Sequence, residues 1–188
     1  MKIESIYFKK PGKENTGETL RIVKNHAEKL NIQTILIATN SGETAFMALD
    51  FMPERTIIAV THSTGFSKEN EQEMAPENRR QIESRGGKVL TCQHAFAGIS
   101  RAVRFKFNTY EVDEIVANTL RLFGQGTKVA VEIVLMAADA GLIRTDEDVI
   151  SVGGTGRGAD TAAVIKPDNV SRFFDLKIRA VLCKPSNF

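Results

Sequence analysis

Apolar residues along this chain follow two rhythms: short β-branched runs, and longer stretches in which they return every three or four positions. TILIA at 34–38 and TIIAV at 56–60 belong to the first kind, separated by SGETAFMALDFM, a helix-competent segment that stops before Pro53. Short buried strands joined by one helix predict a βαβ unit and a parallel sheet. Ahead of them, Ile3 to Phe8 alternates and ends in a Pro11-Gly12 turn. Asn15 followed by Glu18 has the form of a capping box, and Leu20, Val23, Ala27 and Leu30 share one helical face. KVLTC at 88–92 predicts another strand, entered from a helix that Pro76 opens and Gly86-Gly87 closes. Val112, Ile115, Val116, Thr119 and Leu120 again follow helical spacing, with Gly124 placed to cap the C-terminus. The segment 127–143 starts with strand-like alternation, but its Ala-rich continuation exceeds ordinary strand length and predicts a buried helix. VISV at 149–152 and DTAAVI at 160–165 predict an antiparallel hairpin, and 176–182 alternates as a half-buried edge strand. The expected architecture is an α/β three-layer sandwich with a mostly parallel central sheet and an antiparallel hairpin and edge strand near the C-terminus, in a single domain spanning 1–188.

Between the hairpin strands lies the most distinctive loop. Gly153, Gly154, Gly156 and Gly158 let backbone N–H groups turn inward to form an anion-cradling concavity, with Arg157 as a cation beside it. The spacing is neither a Walker loop nor a dinucleotide-binding fingerprint, and a plain turn or bulge is the alternative. A second loop, Thr39-Asn40-Ser41-Gly42-Glu43-Thr44-Ala45, leaves the carboxyl end of TILIA, and Ser41 is placed to cap the helix behind it. A helix N-terminus surrounded by hydroxyls suits a phosphate, and the carboxyl ends of strands are where open α/β sheets bind ligands.

Composition narrows the partners. Among 188 residues, 25 basic side chains face 23 acidic ones, a net charge of +2, which supplies no field for nucleic acid or an acidic membrane. No segment reaches the roughly 18 apolar residues of a span, no signal-peptide core opens the chain, and two cysteines make no secreted framework. The expected compartment is the cytoplasm. Cys92-Gln93-His94 falls short of a zinc set, so no metal is expected. Arg101, Arg104 and Lys106, interleaved with Phe105 and Phe107, read as an amphipathic helix with solvated charges.

The motifs YFKKPGKENT, TNSGETA, THSTGF, VEIVLMAADAG and GGTGRGADTA resemble those of stand-alone proteins of the pyruvate kinase alpha/beta-domain-like family, and the order of elements resembles the C-terminal domain of pyruvate kinase. The resemblance implies that fold, two loops holding phosphates of an allosteric sugar bisphosphate, and, from the stand-alone relatives, flavin mononucleotide as cofactor. It does not imply kinase chemistry, which pyruvate kinase performs in a separate barrel of about 250 residues. Glu43 inside the first loop and Arg157 as the only cation in either loop favour one phosphate over two.

On this reading the chain binds flavin mononucleotide, a small phosphorylated ligand, at the carboxyl edge of the sheet. Asn40, Ser41, Gly42, Glu43 and Thr44 would hold the phosphate, and Gly153, Gly154, Thr155, Arg157, Gly158, Ala159, Asp160 and Thr161 would wrap the phosphate or ribityl side. Thr64, Gly65 and Phe66 would lie against the ring or ribityl chain, with Met136 packed on the ring. Glu132, the only charge between Val129 and Ala138, either touches the flavin's polar edge or fastens a neighbouring loop. Two other readings stay open: an enzyme acting on a phosphorylated metabolite with His62 or Glu132 as acid or base, and an allosteric module for sugar phosphates. The related kinase domain packs against copies of itself, so a homo-oligomer is also an expectation.

Overall fold

A computed structural model describes residues 2–188. Seven strands form one sheet in the order β1-β7-β6-β5-β2-β3-β4: β1 (Ile6–Phe8), β2 (Thr34–Ala38), β3 (Thr56–Val60), β4 (Lys88–Leu90), β5 (Val149–Gly153), β6 (Thr161–Lys166) and β7 (Lys177–Pro185). β2 pairs in parallel with β3 and β5, β3 with β4, and β1 with β7; β6 is antiparallel to both its neighbours. Helices α1 (Thr16–Leu30), α2 (Glu43–Phe51), α3 (Pro76–Ser84), α4 (Gly98–Phe107), α5 (Val112–Arg121) and α6 (Gln125–Asp139) connect them.

Alternation along the strands builds the two cores. Ile35, Ile37, Ile57, Ala59, Ile150 and Val152 project to one face, where they meet Leu20, Val23 and Ala27 of α1, Ala45 and Ala48 of α2 and Ile82 of α3. Leu36, Ile58, Val60, Val149 and Ile165 project to the other, against Val131, Val134 and Leu135 of α6. Buried strands with apolar residues on both faces are what a covered parallel sheet requires. The fold is the expected α/β sandwich, with the hairpin β5–β6 antiparallel as predicted.

Several local expectations are corrected. Asn15 makes no cap; its side-chain amide donates to the carbonyls of Lys10 and Gly12, a 3-10 turn at Lys13–Asn15 intervenes, and α1 starts at Thr16. Gly124 does not close α5, which ends at Arg121 with Leu122 as its cap; at φ 108° it opens α6. β7 lies inside the sheet, because the three-residue β1 covers Cys183–Pro185.

Chain order then fixes the site. The strand order runs outward from β2 through β3 to β4 and returns by α6 to β5 on the opposite side of β2. This is a topological switch point, and the loops leaving the carboxyl ends of β2 and β5 are neighbours across it.

Candidate functional site: a rim cleft between two loops

The loop after β2 is held in shape by its own hydroxyls. Thr39 Oγ1 accepts the N–H of Gly42 at 3.0 Å, Ser41 Oγ accepts that of Glu43 at 3.4 Å, and Asn78 donates to the Ser41 carbonyl at 2.8 Å. The cap position falls on Gly42, at φ 101°, not on Ser41. That backbone region favours glycine, and an added Cβ would also sit 3.3 Å from Ile82. The first amides of α2 are left pointing out of the sheet edge, without intrahelical partners.

The loop between β5 and β6 is anchored by a buried carboxylate. Asp160 Oδ2 accepts the N–H groups of Gly12 and Thr155, each at 3.1 Å, and Oδ1 accepts the Thr161 hydroxyl at 2.8 Å. Ala159 N–H donates to Thr16 Oγ1 at 3.0 Å, closing the loop onto the start of α1. Gly153 lies against Gly126, where a Cβ would fall 2.3 Å from the Gly126 carbonyl oxygen. Two facing glycines therefore bring the first turn of α6 onto β5.

Between these loops opens a cleft of about 620 Å³ lined by Ala38, Thr39, Asn40, Ser41, Glu43, Thr44, His62, Glu73, Gln125, Val129, Gly154, Gly156, Arg157 and Gly158. The N-terminal turns of α2 and α6 both form its wall, and the partial positive charge at helix starts favours an anion there. Side-chain charge does not add to this field. Arg157 is matched by Glu43 and Glu73, and Glu73 Oε2 lies 2.5 Å from His62 Nδ1.

The sequence-predicted residues divide among several places. Asn40, Ser41, Glu43, Thr44, Gly154, Arg157 and Gly158 line the cleft. Gly42, Gly153, Thr155, Ala159, Asp160 and Thr161 build the loops behind it. Thr64 is exposed on the loop after β3, and Gly65 and Phe66 belong to a separate, more open depression on the α4 side. Phe66 stacks on His94 with centroids 5.0 Å apart, and Arg101 covers it at 4.6 Å. Met136 is buried in the core under the sheet. Sequence reasoning missed Gln125, Val129 and Glu73, which reach the cleft only through tertiary placement of α6 and the loop before α3.

Glu132 also lies off the rim. Its carboxylate pairs with Lys128 one turn earlier, accepts the Phe96 N–H at 3.1 Å and faces His94 Nδ1 at 3.7 Å. Ser63 N–H donates to His94 Nε2 at 3.3 Å, which places the imidazole proton on Nδ1, toward the carboxylate. Burial pushes the Glu132 pKa up, but the His94 hydrogen bond and the charge and hydrogen bond of Lys128 outweigh it and hold the group at about 2. Lys128 is lowered by desolvation, opposed by Glu132 and assisted by the nearby Arg121 and Arg101 charges. Of the two alternatives for Glu132, the loop-fastening one describes its contacts. Among the described residues, no three His, Cys, Asp or Glu side chains converge as a metal site, and no helix is long and apolar enough to cross a membrane.

An open, mostly parallel α/β sheet with glycine-containing loops at a switch-point rim defines the class of protein. Residues 18–165 match the family described as pyruvate kinase, alpha/beta domain, and the chain belongs to that family. Among solved structures it is similar to a pyruvate kinase of Cryptosporidium parvum (19% identity over 81% of this chain and 23% of that one, TM-score 0.44). The pyruvate kinase of that organism in complex with ADP gives 19%, 81%, 24% and 0.44, and a further crystal structure gives 18%, 85%, 23% and 0.43. The chain thus spans about a quarter of their length, and likeness of that degree carries nothing about ligands.

The flavin expectation is overturned. The family is that of the pyruvate kinase domain, with nothing in it that indicates a flavin, and the residues assigned to the ring do not meet at the cleft. Phe66 is occupied by His94 and Arg101, Met136 is core, and Glu132 is already paired.

Proposed function

We propose that the chain is a recognition module for a small phosphorylated ligand, held by its phosphate in the rim cleft. The observation that carries this reading is that two loops more than a hundred residues apart in sequence, 39–44 and 154–158, line one concavity into which two helix starts also open. Main-chain amides and helix ends supply the attraction, Arg157 contributes one exposed cation, and the hydroxyls of Ser41 and Thr44 complete the donor set. No phosphoryl-transfer step is part of the proposal. Its two cysteines, Cys92 and Cys183, are free thiols, which suits the reducing cytoplasm.

Calorimetric titration with inorganic phosphate and with sorbitol 6-phosphate tests it. Arg157→Ala and Thr44→Val should each weaken binding by about 1 to 3 kcal/mol, the range for a charge-assisted or buried hydrogen bond. Unchanged affinity in both variants would remove these loops from the site.

A further inference from the structure

Beside the rim cleft, and sharing His62, Gln125 and Val129 with it, lies a chamber of about 320 Å³ between α4, α5 and α6. Four cations enter it, Arg101, Arg104, Arg121 and Lys128, against two acids, Glu114 and Glu132. The acids are spoken for. Arg104 Nε lies 2.8 Å from Glu114 Oε1, and Lys128 pairs with Glu132. Arg121 meets only neutral partners, Gln125 Oε1 at 2.7 Å and Asn118 Oδ1 at 2.8 Å. Among the described residues Arg101 meets no carboxylate; its guanidinium rests over Phe66 at 4.6 Å and Phe105 at 5.6 Å.

The chamber therefore holds two uncompensated guanidinium charges, close enough to Lys128 that both disfavour its proton. Like charges gathered in a part-buried space repel one another unless an anion joins them. The rim cleft shows the opposite balance, one arginine against two carboxylates. One polar atom in the chamber, Glu114 Oε2, is also buried with no hydrogen-bond partner among the described residues. A buried acceptor with nothing to accept asks for a donor such as a hydroxyl.

We propose that this chamber is a second anion subsite, and that the ligand joins its phosphate at the rim to a carboxylate, with a neighbouring hydroxyl, in the chamber: a phosphorylated hydroxy acid. A carboxylate fits better than a second phosphate for two reasons. A guanidinium held over an aromatic ring offers a planar fork, which a carboxylate matches with two parallel bonds. The free oxygen of Glu114 would repel a dianion but accepts a hydroxyl. The inference rests on the phosphate reading of the rim.

Titrating the full chain with 6-phosphogluconate, sorbitol 6-phosphate and fructose 1,6-bisphosphate separates the two readings. The first two ligands differ in carboxylate against CH₂OH, so sorbitol 6-phosphate reports the rim alone. The proposal expects 6-phosphogluconate to bind at least about tenfold more tightly than sorbitol 6-phosphate, the scale of one charge-assisted contact. In Arg101→Gln and Arg121→Gln that difference should vanish while sorbitol 6-phosphate keeps its affinity, which also shows that the variants are folded. Equal affinities in the wild type, a difference that survives both substitutions, or tighter binding of the bisphosphate would overturn the second subsite and leave the rim intact. If none of the three ligands nor inorganic phosphate binds, the rim reading fails and the chamber proposal falls with it.

Discussion

Glu132 is the residue on which local electrostatics are most sharply drawn. It is buried on an apolar helix and stays ionised because Lys128, His94 and the Phe96 amide surround it. A carboxyl held at about 2 when folded, against an ordinary 4.5, contributes stability that is fully present above pH 4.5 and is lost as pH falls toward 2. The loss should reach roughly 3 kcal/mol at the acid end. Glu132→Gln should flatten that acid limb, and at pH 7 it should cost about 3 to 5 kcal/mol because Lys128 is left buried and unpaired. Lys128→Met added to Glu132→Leu should recover much of this, since a buried pair replaced by apolar groups is often neutral. Urea denaturation at pH 7 and pH 3.5 reads all three; a Glu132→Gln protein as stable as wild type at both would show that the pair is not needed. The pair itself is legible in sequence, a lone acid in an apolar run with a lysine four residues before it. His94 and Phe96 are not, because they approach from a loop some 36 positions upstream.

Elements were readable where one rhythm dominates and unreadable where the outcome depends on a neighbour. The β2 and β3 runs and the length of α6 declare themselves through apolar spacing. The alternation of β7 states which side chains face inward but not which strand lies alongside; β1 pairs only with its last residues, so its first half keeps the exposed look of an edge. Gly124 reads equally well as the end of one helix or the start of the next. The cationic chamber is not legible in the sequence for a related reason. Arg101, Arg121 and Lys128 come from three different helices, and no spacing ties them together. Close approach of elements makes a sharper prediction. A Cβ on Gly126 would stand 2.1 Å from Thr161 Oγ1, so Gly126→Ala must push the start of α6 away from β6. We expect a loss above about 2 kcal/mol, in the range for overpacking, together with weaker phosphate binding at the rim that α6 helps to wall. Gly17→Ala is the matched control: it lies in α1 with no atom within 4 Å of the added carbon and should stabilise by up to about 1 kcal/mol. Thermal melts of the two variants should move in opposite directions, and a Gly126→Ala protein melting with wild type would refute the close approach.

At the scale of the molecule, the α4–α5 hairpin stands apart from the rest. Ile99, Phe105, Phe107, Tyr110, Val112, Ile115, Leu122 and Phe123 are all exposed on it or just beyond it, more than half of the exposed large apolar side chains among the described residues. No residue of α4 is buried, yet a helix of ten residues has little stability of its own in water. Apolar surface gathered in one place on a monomer marks an interface. The expected occupant is a second copy of this chain, because the hairpin is complementary to itself in charge. α4 carries the exposed Lys106 in its last turn and no acid, while Glu111 and Asp113 mark the start of α5; Arg104 and Glu114 are already paired within the chain. A two-fold axis across the hairpin would set the basic end of α4 in each copy against the acidic turn of the other, with the aromatic residues closed between them. Sedimentation equilibrium at micromolar concentration should then give a dimer, with Phe105→Ser and Leu122→Ser each shifting it toward monomer by tenfold or more in dissociation constant, about 1.4 kcal/mol or above. Raised salt should weaken the dimer only modestly, as apolar burial supplies most of the attraction. A monomeric wild type would mean that the hairpin is covered by something else. Because the same hairpin walls the cationic chamber, a dimer would also hold Arg101 and Arg121 in place, so monomerising substitutions should weaken binding of 6-phosphogluconate more than that of sorbitol 6-phosphate.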